Sequence, residues 1–261
     1  MESVLSLIPA DPLWILTALA LGLAAKGLRI PPLVGFLAAG FLLNVIGMTT
    51  TTFLTEASDL GIALLLFTIG LHLSASVFTK TEVWGVATMH VLIFGSLLTA
   101  VIYAGVLAGI GPMSSLDPEA ALTLALALSF SSTVFAAKML ETLGASQSRH
   151  GRVVIGVLII QDLIAVAYLA LSDPEARPSP WILVLLLLPL LRRPLQRIMQ
   201  ACGHGELLIL FGILVAAGGA GLFEWVGLKA DLGALAAGLV LAGTAKADEL
   251  AKSLDGFKDL F

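Results

Sequence analysis

The sequence predicts an all-α membrane protein, a polytopic helical bundle, on three observations. Hydrophobic residues make up 58% of the 261 residues, charged residues make up only 12%, and the mean hydropathy is +1.02. A soluble domain carries about 25% charged residues. Long apolar runs recur along the whole chain, and a helix satisfies its own backbone hydrogen bonds in lipid. We therefore expect the lipid bilayer as a partner and no nucleic-acid partner, since no basic patch stands out.

Apolar runs of spanning length predict nine transmembrane helices. Turn-forming residues such as Asp117-Pro118 mark several of their boundaries, whereas Pro189 and Pro194 interrupt the seventh run. The predicted spans are residues 13–28, 31–47, 54–73, 84–110, 118–142, 150–171, 180–198, 206–226 and 228–243.

The lysines and arginines divide unequally between the two sides of this topology. One side receives only Arg177 and Lys229. The other side receives Lys26, Arg29, Lys80, Lys138, Arg149, Arg152, Arg192, Arg193, Arg197, Lys246, Lys252 and Lys258. Because cytoplasmic loops carry the excess of basic residues, we expect these Lys/Arg-rich loops in the cytoplasm and the N-terminus outside.

Asp162 is the most informative residue, because it lies in the middle of the apolar run RVVIGVLIIQDLIAVAYLALS (152–172). This run is about as long as a membrane-crossing helix, which places Gln161 and Asp162 near the midplane. An isolated carboxylate there costs at least about 2.5–3.5 kcal/mol. A structural role, with a serine or a backbone amide as the partner, is one interpretation. The other is an ion or proton path, which intramembrane carboxylates usually mark.

A cluster of hydroxyl residues, Ser129-Phe130-Ser131-Ser132-Thr133, lies within the fifth predicted span. Serine and threonine can bond back to the helix backbone, so a slightly bent helix is one interpretation. An unwound stretch would instead release carbonyls and helix N-terminal amides, as in the broken helices of transporters. Together with Asp162, the cluster predicts an oxygen-lined cation site with Asp162 and Thr133 as metal-ion ligands.

Six segments of the chain resemble, in order, the membrane domain of the monovalent cation:proton antiporter-2 family, KefC-type (glutathione-gated potassium-efflux) branch. They are RIPPLVGFLAAGFLLN (29–44), LGIALLLFTIGLHLS (60–74), LSFSSTVFAAKMLE (128–141), GRVVIGVLIIQDLIAV (151–166), GLKADLGALAAGLVLAG (227–243) and LDGFKDLF (254–261).

The resemblance implies a sodium/proton-antiporter-like fold of thirteen spans, built from two inverted repeats with discontinuous crossover helices. The whole chain, 1–261, would be a transmembrane exchanger domain in a bacterial inner membrane, and a homodimer. Residues 1–112 would form the first part of repeat one and the dimerisation region, 113–172 the core ion-binding helices, and 173–261 the start of the second repeat. Nine spans of thirteen imply a C-terminally incomplete domain, with a cytoplasmic nucleotide-binding regulatory domain beyond residue 261.

The resemblance also assigns the site. Its ion-binding carboxylate falls on Asp162, and its crossover partner falls on Ser131, Ser132 and Thr133. Gln161 occupies the preceding position, where the potassium-type branch carries glutamine, so Gln161 points to potassium.

Three residues depart from the family pattern. His72 stands where many relatives carry glutamate, and Lys229 and Asp231 lie in a segment that is usually less charged. We expect His72 and Asp231 as accessory residues of the ion path or as helix-contact residues, and Lys229 with Asp231 as an interface pair near a helix end.

The predicted function is secondary active antiport of K⁺ for H⁺. Low dielectric disfavours a charged carboxylate whereas a bound cation favours it, so proton and cation compete for Asp162. One carboxylate beside a neutral Gln161 indicates electroneutral exchange. Alternatives are a Na⁺/H⁺ antiporter of the same fold and a passive ion channel or receptor. We expect no enzyme, since GxSxG and HExxH motifs are absent from the sequence, and no cofactor other than the transported ions.

Overall fold

The computed structural model describes residues 12–48, 51–172 and 179–258, and this part of the chain is helical without any strand. Its α-helices are α1 Pro12–Gly27, α2 Pro32–Val45, α3 Thr52–His72, α4 Thr81–Leu107, α5 Pro118–Ser129, α6 Thr133–Thr142, α7 Arg149–Ser172, α8 Leu188–Ala201, α9 Glu206–Trp225, α10 Ala230–Leu241 and α11 Ala245–Lys258. Short 3₁₀ helices cover Ala75–Thr79, Gly111–Ser115 and Pro180–Leu187.

The chain divides into two compact units, residues 1–62 with 257–261, and residues 63–256. In the first unit, α1 packs against α2. Gly35 permits this contact, because a Cβ atom there would collide with the backbone of Leu21 and Gly22. Small residues at such crossings are the usual means of close helix packing in membranes.

In the second unit, α4 packs against both α5 and α7. Ala121 and Ala125 lie one turn apart on α5 and are fully buried beside Ile102 of α4. α5 begins sharply because the carboxylate of Asp117 accepts a hydrogen bond from the amide of Ala120 at 2.7 Å, and Pro118 follows it.

Helix lengths confirm the all-helical membrane class but do not confirm nine transmembrane helices. Among the described residues, five segments are long and apolar enough to cross a membrane: Leu54–His72, Thr81–Leu107, Pro118–Thr142, Arg149–Tyr168 and Glu206–Trp225. The predicted first, second and ninth spans are shorter apolar helices of 10–17 residues.

The predicted seventh span, 180–198, differs from expectation. It is a 3₁₀ helix, Pro180–Leu187, followed by α8. The prolines of this segment remove backbone donors that a continuous α-helix needs. The amphipathic α11 also lies outside the nine predicted spans, because its first turns are too polar to be selected by apolar length.

The fifth predicted span is interrupted in the structure. α5 ends at Ser129, Phe130 adopts an extended backbone conformation, and α6 begins at Thr133. The side chain of Ser132 caps the new helix by accepting a hydrogen bond from the amide of Phe135 at 3.2 Å. Serine is a preferred N-cap residue, so the hydroxyl cluster both ends one helix and starts the next.

α10 lies against α9 and α3 through glycine contacts on both sides. A Cβ atom at Gly219 of α9 would lie 2.6 Å from the carbonyl oxygen of Gly233 in α10. A Cβ atom at Gly70 of α3 would collide with the carbonyl oxygen of Leu235 and lie 3.0 Å from the Cα atom of Gly238. These backbone contacts fix the position of α10 and hence of the residues at its N-terminus.

Candidate functional site

Asp162 lies within α7 and is hydrogen-bonded to Thr133, at the interruption between α5 and α6. Its Oδ2 atom accepts a hydrogen bond of 2.8 Å from the Thr133 hydroxyl, and its side chain is 14% exposed. Hydrogen bonds to a charged group contribute about 1.5–3 kcal/mol, roughly twice a neutral hydrogen bond. The carboxylate is thus held at the place where α6 begins.

Thr133 owes its position to the helix interruption. It is the first residue of α6, directly after the Ser132 cap. The first amides of a helix have no partner within the helix and carry a partial positive charge, which favours a nearby carboxylate. The Ser-Ser-Thr sequence therefore brings a hydroxyl donor and a helix N-terminus to the same side of Asp162.

Lys229 supplies the second direct contact. Its Nζ atom lies 3.2 Å from Oδ1 of Asp162, while its side chain is 58% exposed. The prediction that Lys229 pairs with Asp231 near a helix end missed this contact. Lys229 is the N-cap residue of α10, which has only 12 residues and extends about 18 Å, less than the roughly 30 Å of a bilayer core. A helix this short can begin at the depth of Asp162, and the contact places Lys229 there.

These residues line a cavity of about 140 Å³. The volume exceeds what a single water molecule needs, so several waters or a partly hydrated cation fit. Its polar walls carry carboxylate, hydroxyl and ammonium groups from the α5–α6 link, α6, α7 and the start of α10, and its apolar walls carry aliphatic side chains. The lining residues are Leu66, Ser131, Ser132, Thr133, Val134, Asp162, Lys229, Asp231, Leu232 and Leu235.

Of the residues predicted for the site, the cavity collects five: Asp162, Ser131, Ser132, Thr133 and Asp231. Carboxylate and hydroxyl oxygens are hard ligands that suit alkali cations.

Gln161 lies elsewhere, although it directly precedes Asp162. It is 2% exposed, and its Nε2 atom lies 2.9 Å from Nδ1 of His90 on α4. The His90 ring stacks on Phe94 with a centroid distance of 4.6 Å. The Oε1 atom of Gln161 is buried without a hydrogen-bond partner in the structure. Gln161 is not among the residues that line the cavity.

His72 also lies outside the cavity lining. Its Nε2 atom is 3.7 Å from Oδ1 of Asp248 in the first turn of α11. Asp248 is 62% exposed, so solvent screens the contact. The geometry gives His72 a helix-end contact, which is one of its two expected roles.

A separate polar cluster joins the α8–α9 turn to α11. Glu249 accepts from Lys246 at 2.9 Å and lies 2.5 Å from Nδ1 of His204. The Lys246 hydrogen bond, followed by that of His204, lowers the pKa of Glu249 below its ordinary value. A carboxylate with a lowered pKa adds stability at neutral pH that is lost as the pH falls through that value. This exposed cluster serves the fold and does not reach the cavity.

Comparison with known protein families identifies the family of this chain. A family profile described as sodium/hydrogen exchanger, transmembrane, matches residues 15–261, almost the entire chain. Members of this family exchange cations for protons and are transporters, not enzymes. The match and the apolar helices establish an integral membrane protein. The chain belongs to the sodium/hydrogen exchanger family.

Proposed function

We propose that the protein exchanges K⁺ for H⁺ across a bacterial inner membrane, with Asp162 binding the cation and the proton in turn. The observation that carries this proposal is the bond between Asp162 and Thr133 at the interrupted helix. It joins a carboxylate within an apolar helix to a hydroxyl and a helix N-terminus, beside a cavity large enough for a cation.

Competition at Asp162 accounts for obligatory exchange. In the low dielectric of the membrane, an ionised carboxylate needs a positive partner or a proton. Asp162, Thr133, Ser131 and Ser132 provide oxygens for the cation. If the protein alternates between its outward-facing and inward-facing states only when Asp162 carries a cation or a proton, each transported cation is exchanged for a proton.

Lys229 acts in this scheme as an internal substitute for the transported cation. Its ammonium group occupies one carboxylate oxygen, Oδ1, while Thr133 occupies the other. The Lys229 side chain is more than half exposed, so its ammonium has room to move away from Asp162. A cation entering the cavity can therefore displace Lys229.

Potassium is the proposed substrate because Gln161 matches the potassium-type, KefC-type branch. Because Gln161 lies against His90, we propose that it influences the site as a neutral neighbour of Asp162 and does not coordinate the ion. Sodium is the second candidate substrate, and the description of the matched family favours it.

We further propose the arrangement of the whole transporter. Thirteen spans in two inverted repeats, a homodimer, an external N-terminus and cytoplasmic Lys/Arg-rich loops are supported by the resemblance and by the distribution of basic residues.

Ion-driven proton flux in liposomes tests the proposed function. The complete protein is reconstituted with a pH-sensitive dye inside, and K⁺, Na⁺ or Li⁺ is added outside while ionophores clamp the membrane potential. We expect proton release driven by K⁺ at lower concentrations than by Na⁺ or Li⁺. Proton flux driven by Na⁺ alone would replace potassium by sodium, and cation current without proton movement would contradict antiport.

A further inference from the structure

The cavity holds three charged side chains, whereas the sequence predicted one ion-binding carboxylate, Asp162, with Asp231 as an accessory residue. Asp162 of α7 and Asp231 of α10 both line it, together with the ammonium-bearing Lys229. With both aspartates ionised and the lysine protonated, these three residues carry a formal net charge of −1. One carboxylate alone would give the same total, but here a second carboxylate and a lysine balance each other.

Lys229 and Asp231 enter the cavity from the same helix end. Lys229 is the N-cap residue of α10, and Asp231 lies in its first turn. An acidic residue is favoured in the first turn of a helix, where the helix N-terminus carries a partial positive charge. Only the Lys229 side chain is largely exposed, so its ammonium can move while the α10 backbone stays in place.

Close glycine contacts hold the backbone of α10, whose N-terminal end carries Lys229 and Asp231. Gly233, two residues after Asp231, packs so closely on Gly219 of α9 that neither position has room for a Cβ atom. Gly238 packs in the same way on the backbone of Phe67 in α3. The position of the α10 N-terminus, which carries Lys229 and Asp231, is therefore supported by backbone contacts with α9 and α3.

We propose that Lys229 and Asp231 form a charge-compensating pair that fixes the net charge of the cavity at −1, so that the cavity takes up one monovalent cation. The inference rests on the proposed function, because it describes the ion site at Asp162. Asp231 is thereby a specificity-determining residue for the charge of the transported ion, and Lys229 prevents the two carboxylates from attracting a divalent cation.

The pair predicts opposite effects for its two members. Asp231→Asn makes the cavity formally neutral, so the apparent KM for the cation rises. Lys229→Gln makes it −2, so the apparent KM falls and a divalent cation such as Ca²⁺ competes with transport. We expect each change to be about tenfold, because removing a nearby unit charge shifts the equilibrium of a charged group by about that factor or more. The double variant regains a formal charge of −1, and its apparent KM returns to within about threefold of wild type.

The experiment measures apparent KM and inhibition by Ca²⁺ in liposomes for both single variants and the double variant of the complete protein. Lys229→Arg and Asp231→Glu keep the charges, so we expect smaller KM shifts than in Lys229→Gln and Asp231→Asn, while Asp248→Asn, outside the cavity lining, is the control that keeps the wild-type KM. Cation-dependent thermal stabilisation in detergent reports binding even if a variant no longer transports.

Single variants that shift the apparent KM in the same direction, or an Asp231→Asn variant with unchanged KM, would overturn the charge-compensating pair. Asp162→Asn separates this failure from failure of the proposed function. If Asp162→Asn keeps exchange, the ion site itself is wrong. If it loses exchange while Asp231→Asn behaves as wild type, only the pair is wrong.

Discussion

Two neighbouring residues of α7, Gln161 and Asp162, occupy very different surroundings. Asp162 is 14% exposed, bonds to Thr133 and Lys229, and lines the charged cavity. Gln161 is 2% exposed and lies against His90. Consecutive residues on a helix point about 100° apart, so adjacent positions reach different helices. The difference teaches that two adjacent residues can have separate roles, with Asp162 lining the cavity and Gln161 making a contact between helices.

Among the residues in contact with Asp162 or Gln161, replacing Thr133 has the largest expected effect on cation affinity. Thr133→Val keeps the shape but removes the hydroxyl that donates to Asp162. Losing a hydrogen bond of about 1.5–3 kcal/mol lowers cation affinity by tenfold or more. Apparent KM in the liposome assay measures this, with Thr133→Ser as the matched control that keeps the hydroxyl. Equal KM values for the two variants would mean that the Thr133 bond plays no part in the site.

Replacing Gly219 tests whether the close contact between α9 and α10 holds α10 in place beside the cavity that Asp162 lines. Gly219→Ala places a Cβ atom 2.6 Å from the Gly233 carbonyl oxygen and forces α9 and α10 apart. Overpacking of this kind costs about 1–3 kcal/mol. We expect a lower melting temperature and weaker exchange. Gly218→Ala is the control, since a Cβ atom there meets nothing within 4 Å. A Gly218 variant as damaged as the Gly219 variant would refute the close contact.

Replacing His90 tests whether the contact of Gln161 contributes to stability and not to cation binding. His90→Phe leaves the buried amide of Gln161 without its partner, which costs about 1–3 kcal/mol. We expect reduced thermal stability but an apparent cation KM within about threefold of wild type. His90→Asn is the matched polar control, because the asparagine amide replaces the histidine ring nitrogen as a polar partner for Gln161. A His90→Phe variant with a KM shift as large as that of Thr133→Val would remove the proposed division between the two residues.

The sequence predicted those residues of the candidate site whose signals are local. Asp162 stood out against an apolar run, and Ser132 and Thr133 combine cap-forming residues with an apolar helix, so both the carboxylate and the helix interruption have local causes. The resemblance aligned the two segments, which are 29 residues apart at Thr133 and Asp162.

The missed part of the site depends on contacts between distant segments. Lys229 lies 67 residues from Asp162, and apolar length placed it only at the start of the ninth predicted span, 228–243. A short apolar segment that begins with Lys and Asp was the available signal, because 12 helical residues cannot cross a bilayer. The partner of Gln161 was equally hidden, since His90 is 71 residues away and either face of α7 satisfies the sequence pattern.

Substitution of Asp162 tests the central claim most directly. Asp162→Asn keeps the size of the side chain but removes the carboxylate proposed to bind cation and proton. Asp248→Asn makes the same chemical change at a residue that is 62% exposed and outside the cavity. Cation-driven proton flux is measured for both variants of the complete protein in liposomes, at matched amounts of inserted protein. We predict that Asp162→Asn abolishes the flux while Asp248→Asn retains it, and wild-type flux in Asp162→Asn would contradict the assignment of Asp162 as the exchange site.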